Sequence, residues 1–216
     1  MKIHSIKLQT AALEKTALFY GEILGLKRHV SLPRETYFQA GYSTLIFSEK
    51  QGFNGRYHFA FNIPCNQIGE AIYWLMQRDI ASIPGPNGQA LVDFPNWNAE
   101  STYFFDPAGN LVEFIARRDL NNASDLPFGP DALLGISEIA IVTKDVLAWN
   151  ANTALDFGVL PFTKSSPGPD FSALGTDEGL FIVVPEGRKW FLTNIPATIE
   201  PLEVRFEQAG KTYTLN

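Results

Sequence analysis

Glu113 is the first residue whose type and setting could do chemistry. It is the only charge in the apolar run 111–116 (LVEFIA), which follows the run 103–105 and the turn sequence DPAGN at 106–110. Proline fixes φ and glycine or asparagine accepts φ > 0, so residues 101–117 are expected to form a β-hairpin. Along its second strand Leu111, Glu113 and Ile115 share one face, which sends a carboxylate out of the middle of an apolar strand. Such a group must be paired, hydrated, or used as a metal ligand or general base; the strand alone leaves these readings open. Cys65 follows Pro64 near a strand end and reads as a small loop residue rather than a nucleophile. Gly85, Gly88 and Gly109 lack the spacing and the following helix of a phosphate loop. Neither a serine nucleophile elbow nor a His-Glu zinc helix is present.

The 216 residues, 45% hydrophobic, suffice for one large core or two of ordinary domain size. A net charge of −6 without a basic run argues against nucleic acid or an anionic membrane as partner. One cysteine excludes an internal disulfide, and no apolar run approaches membrane length, so a soluble, cytoplasmic protein is expected.

The elements that must position Glu113 repeat. Residues 2–10 alternate as a half-buried strand, 11–24 carry apolar residues at helical spacing up to Gly25, and three strands are expected at 27–31, 36–40 and 44–47. The same order returns: a strand at 57–63 (YHFAFNI), a helix at 66–78, and strands near 81–83, 89–93 and 102–105 before 111–116. A stretch of linker composition at 119–130 precedes a third start, with a strand at 136–143, a helix at 146–157 and strands at 170–174 and 180–184. Leu8, Thr10, Gly25 and Ala40 match Ile141, Thr143, Gly158 and Ala173 at one offset of 133 residues. A fourth start, LEVRFE at 202–207, has only 208–216 after it.

HFAFNI at 58–63 together with FFDPAGNLVEF at 104–114, inside strand-helix-three-strand units, resembles the vicinal-oxygen-chelate superfamily of glyoxalases, bleomycin-resistance proteins and extradiol dioxygenases. The resemblance covers 1–118 well and 133–190 less fully. It implies an α+β fold of repeated βαβββ modules, paired into a curved mixed sheet that forms a cup with helices outside. The expected organisation is a complete two-module domain at 1–118, a linker at 119–132, and a third βαβββ module with truncated fourth-module strands at 133–216.

The resemblance also implies site residues. A His on the first strand and a Glu on the last strand of the second module match His58 and Glu113, a donor pair suited to Fe, Mn, Ni or Zn. They are the catalytic and metal-ligand candidates, or they pair with each other, Glu113 orienting the imidazole and raising its pKa. The first-module ligand position falls on Ser5; His4, one residue off, is expected to point to the opposite face. The fourth position falls at about Ile46. Lys7 shares the face of Ser5 and could neutralise Glu113 or hold an anion. Tyr37, Tyr42, Trp97 and Tyr103 are candidate ligand-binding aromatics. Glu138 takes the third-module position matching Ser5, and Glu203 takes the fourth-module position matching His58; together they read as a degenerate cup.

The function expected is that of a glyoxalase- or dioxygenase-like protein without a readable specific activity: a divalent-metal lyase, isomerase or dioxygenase acting on a small molecule with vicinal oxygens. The alternative is a metal-free small-molecule binder of the bleomycin-resistance type. The unpaired third module, with Ile139, Ile141, Phe171, Phe181 and Val183, must be completed either by 202–207 and 212–215 folding back as strands or by its counterpart in a two-fold dimer; those segments are expected to be strands in either case, and a homodimer is predicted.

Overall fold

In the computed structural model, which describes residues 1–216 apart from the side chains of residues 30 and 31, period-two alternation becomes strand in most of the stretches that show it. The first module is β1 (Lys2–Thr10), α1 (Leu13–Leu18, continued as a wider turn over Phe19–Ile23), β2 (Lys27–Leu32), β3 (Glu35–Ala40) and β4 (Ser43–Glu49). The second is β5 (His58–Ile63), α2 (Ile68–Met76), β6 (Val92–Phe94), β7 (Ala99–Phe105) and β8 (Leu111–Arg117). The third is β9 (Gly135–Thr143), α3 (Val146–Phe157), β10 (Ser172–Thr176) and β11 (Gly179–Pro185). A final hairpin, β12 (Leu202–Gln208) and β13 (Lys211–Leu215), ends the chain.

One expected strand shrinks to a single bridge, and so does the further third-module strand that the βαβββ pattern implies. Around 81–83 only Ser82 pairs, with Phe104, because Pro84, Gly85 and Pro86 follow at once. In the third module Pro161 alone bridges to Leu174, so that unit is βαββ rather than βαβββ. The hairpin at β7 and β8 forms as expected: Asp106 Oδ1 accepts from the Ala108 and Asn110 amides at 2.9 Å, and Gly109 takes φ 82°.

The strands join in one 13-stranded mixed sheet, curved and unclosed, with the central order β2-β3-β4-β1-β9-β5-β8-β7-β6. The module pairing differs from the expectation that 1–118 closes on itself. The edge of β5 is taken by β9, antiparallel, and β9 pairs on its other side with β11. The edge of β1 is taken by β12, and β1 and β9 meet only at Ile3 and Ile136. The second and third modules therefore share one cup, and the first module is matched by the terminal hairpin.

Helices cover the outer face through aromatic contacts. Tyr20 packs on Phe47 at 5.0 Å, Trp74 on Phe114 at 6.4 Å and Trp149 on Phe181 at 5.6 Å. Ile139, Ile141, Phe181 and Val183, expected to be left for a second copy, are buried within the chain. Phe206 explains part of this: it is fully buried and meets Phe157, Phe181 and Tyr213. The 119–132 stretch is laid along the start of α2, where Asn122 accepts from the Cys65 amide and Leu126 from the Gln67 amide group. No helix among the described residues is long and apolar enough to cross a membrane.

Candidate metal centre and its cup

The curved sheet brings His58 from β5, Glu113 from β8 and Glu138 from β9 to one point, their donor atoms all within 4.8 Å of one another. Parallel pairing sets Glu113 opposite Ala60, and antiparallel pairing sets Glu138 opposite the same alanine, so a small residue separates the two carboxylates. His58 Nε2 stands 3.5 Å from Glu113 Oε2 and 4.0 Å from Glu138 Oε2. His58 Nδ1 lies 3.1 Å from the Leu111 carbonyl. A carbonyl only accepts, so Nδ1 carries the proton and Nε2 turns a lone pair toward two carboxylates. Three acceptors converge on one buried point.

Burial decides the charge states. The His58 imidazole is pushed down to about 4 by desolvation, opposed by its bond to Leu111 and assisted by the charge of Arg188. This corrects the expectation that Glu113 raises it. Glu113 itself is pushed far above the carboxylate range by burial and then by the charge of Glu138, with Arg117 pulling the other way. Burial also raises Glu138, against the opposing pull of Arg117.

Arg117 is fully buried at the end of β8, on the same face as Glu113 and Ile115. One guanidinium nitrogen donates to Glu138 Oε1. Its Nε donates to Ser137 Oγ at 3.2 Å, and Nη1 reaches Asp177 at 3.5 Å. Ser137 reaches the cup because β9 carries a bulge there: Ala60 faces Glu138 while Phe61 faces Ile136. Glu138 is thus held by one oxygen, with the other free to face His58. Asp177 is shared with Lys164, 2.7 Å away, which also binds Asp119 at 2.6 Å.

Around the three acceptors lies a cavity of about 320 Å3 walled by aromatic rings. Tyr103 meets Phe191 at 5.7 Å, Phe191 meets Phe94 at 5.9 Å, Phe94 meets Trp97 at 6.2 Å, and Trp97 meets Phe171 at 6.4 Å. Trp190 closes on His58 at 6.0 Å. A larger hollow of about 530 Å3 lies beyond Trp190, near Arg56, Trp149 and Leu202, and contains none of the three acceptors.

His58, Glu113, Trp97 and Tyr103 are therefore brought together, whereas Ser5, Lys7, Tyr37 and Tyr42 lie on the first module. Lys7 does not neutralise Glu113: it binds Glu35 at 2.6 Å, which also accepts from Tyr37 at 2.5 Å. Tyr42 donates to the Glu178 carbonyl. His4 shares a hollow with Ser5, because β1 also carries a bulge, between Ile3 and Ser5, so the expected opposite facing fails. Glu138, taken as part of a degenerate cup, joins His58 and Glu113 instead. Its signal was present in the offset of 133 from Ser5, and that of Arg117 in the alternation Glu113, Ile115, Arg117. Arg188, Trp190 and Phe191 come from an irregular loop and had no signal.

No family model and no curated protein matches the sequence. Solved structures do. The "putative dioxygenase" of Bacillus subtilis aligns over 91% of this chain and 67% of its own at 15% identity, with a TM-score of 0.59. Lactoylglutathione lyase from Agrobacterium tumefaciens aligns over 52% of this chain and 90% of its own at 23% identity, TM-score 0.45. A fosfomycin resistance protein from Listeria monocytogenes, solved with Mn(II) and dihydroxypropylphosphonic acid, aligns over 54% and 90% at 20% identity, TM-score 0.43. The Bacillus alignment runs over nearly the whole chain, and with the curved mixed sheet it gives this chain the fold of the vicinal-oxygen-chelate superfamily.

Proposed function

We propose that the protein is a divalent-metal enzyme of glyoxalase or dioxygenase type, acting on a small molecule with vicinal oxygens in the cup of the second and third modules. The observation that carries this is the convergence of His58, Glu113 and Glu138. A neutral imidazole lone pair aimed at two buried carboxylates is costly unless a cation or shared protons lie among them. One nitrogen and two oxygen donors suit Fe, Mn, Ni or Zn, and three protein ligands are the number catalytic sites keep. Such an ion supplies Lewis acidity toward the vicinal oxygens.

The chain's own residues do the rest. The Leu111 carbonyl fixes the imidazole tautomer, and Arg117 holds Oε1 of Glu138 so that Oε2 stays free toward His58. The aromatic wall excludes water and orients a flat apolar body. Glu113, which lines the cavity beside His58, is the group placed to take a proton from the bound molecule or return one.

The metal-free reading rests on the same states: a protonated Glu113 facing a neutral His58 can share its proton across the 3.5 Å gap and leave a plain aromatic binding cup. Calorimetric titration of chelator-treated protein with Mn(II), Fe(II), Ni(II) and Zn(II) separates the two. Stoichiometric binding is expected, weakened in Glu138→Ala by more than the ~10–100-fold that supporting residues cost, and unchanged in Ser5→Ala. If none of the four ions binds, the metal-free binder stands. The homodimer and the cytoplasmic location belong to the same proposal. The third-module residues expected near the dimer interface, Ile139, Ile141, Phe181 and Val183, are buried within the chain, and sedimentation velocity reads the oligomeric state.

A further inference from the structure

We propose that Arg188 makes the cup selective for an anionic substrate, a small molecule whose apolar body lies on the aromatic wall and whose carboxylate meets the Arg188 guanidinium. The inference rests on the reading of the cup as a small-molecule site and adds to it the charge of the molecule.

The other cations at the cup are already paired. Arg117 serves Glu138 and Asp177, and Lys164 serves Asp119 and Asp177. Arg188 lines the cavity, and among the described residues no carboxylate reaches it; its side chain meets the ring of Phe171, 5.6 Å away. A guanidinium over a ring keeps its N–H donors unused, and those donors match a carboxylate in a two-bond fork. Its backbone is pinned, since the Arg188 amide donates to Pro185 and its carbonyl accepts from Ala197 at 2.7 Å. The backbone that carries it therefore needs no ordering on binding. The same loop carries Trp190, 4% exposed and also lining the cup, whose indole N–H finds no acceptor among the described residues. The loop thus offers donors without acceptors beside a wall of rings. Under the proposed reading Glu113 and Glu138 both face the ion, so the charge left over in the lining is that of Arg188.

The test is calorimetry of the full chain, with and without one equivalent of Mn(II), using 4-phenylbutanoate and its uncharged isostere 4-phenylbutanamide. The acid is expected to bind about tenfold more tightly than the amide, with or without Mn(II), and the margin should shrink in high salt. Arg188→Gln should bring the acid down to the level of the amide, and an unchanged urea-denaturation midpoint reports that the variant is folded. Arg188→Lys should keep part of the margin, since it keeps the charge and loses the fork. Equal binding of acid and amide by the unaltered protein, a preference that survives Arg188→Gln, or a preference seen only with Mn(II) overturns the assignment of Arg188 and leaves the cup as a binding site. Failure of both probes to bind at all overturns the small-molecule reading of the cup together with it.

Discussion

The cup over β5, β8, β9 and β11 and the half-cup over β1, β4 and β12 share one strand order, and their positions correspond through the register. Ser5 stands where Glu138 does, and Ile46 opposite Lys7 corresponds to Ile182 opposite Ala140. Glu203, opposite Lys7, takes the place of His58. Even the bulge recurs, at His4 in β1 and at Ser137 in β9. The difference lies in the next lane. Beside β5 runs β8, parallel, with Glu113 opposite Ala60; beside β12 runs β13, antiparallel, with Thr214 opposite Arg205. The half-cup has no closing strand to bring in a carboxylate, and what it holds instead is the partly exposed pair of Lys7 and Glu35. A constellation of this kind belongs to a pairing of modules rather than to either module's sequence.

The largest effect should come from breaking the hairpin that replaces the missing module. Phe206 is fully buried against the rings of Phe157, Phe181 and Tyr213, so it fastens the first module to the third. Phe206→Ala should cost about 3–5 kcal/mol in urea denaturation. A loss under about 1 kcal/mol would show that β12 and β13 are not needed to complete the sheet.

Nearly as large is the loss expected at the working cup. Arg117→Met leaves Glu138 buried without its guanidinium, and breaking a buried pair costs about 3–5 kcal/mol. Protonation of Glu138 relieves the orphaned charge, so the loss should shrink as pH falls. A loss independent of pH would place the effect in packing on Trp97 and Phe162 rather than in the charge.

What could be read in the sequence was local. The hairpin at 101–117, the helices and the repeat offset follow from periodicity and turn chemistry, and they carried Glu113; His58 and, through Ser5, the place of Glu138 came from the resemblance to the superfamily. Which module pairs with which was not legible, because β1, β5 and β9 all offer the same kind of strand edge and only long-range docking chooses among them. The bulge at Ser137 and the loop bearing Arg188 were hidden for a related reason: neither has a periodic pattern, and both are fixed by what they pack against.

The third effect is one of pH. His58 is neutral when folded down to about 4 against an ordinary 6.5, so between those values the unfolded chain takes up a proton that the folded chain refuses. The stabilisation is complete above about pH 6.5 and is lost as pH falls toward 4, on the order of 3 kcal/mol in metal-free protein. His58→Asn should flatten that part of the stability profile. An unchanged acid limb would mean that His58 keeps its proton in the folded state.

The smallest effect is expected where the comparison is closest in form, at Lys7 and Glu35. This pair is the ion pair the half-cup holds where the cup holds Arg117 and Glu138, with a short contact of 2.6 Å, yet the side chains are 35% and 20% exposed. Water can take over from the ammonium, and Tyr37 goes on donating to Glu35 at 2.5 Å after Lys7 is gone. Lys7→Met should therefore cost no more than about 1 kcal/mol, and less at high salt, where the ions screen an exposed pair. Metal affinity should not change, since Lys7 is not part of the buried cluster of His58, Glu113 and Glu138. Denaturation of Lys7→Met and Arg117→Met side by side at low and high salt reads the contrast: a salt-sensitive, small loss for the first and a salt-insensitive, large one for the second. Equal losses would mean that burial does not separate the two faces, and that the half-cup is as dry and as tightly paired as the cup beside it.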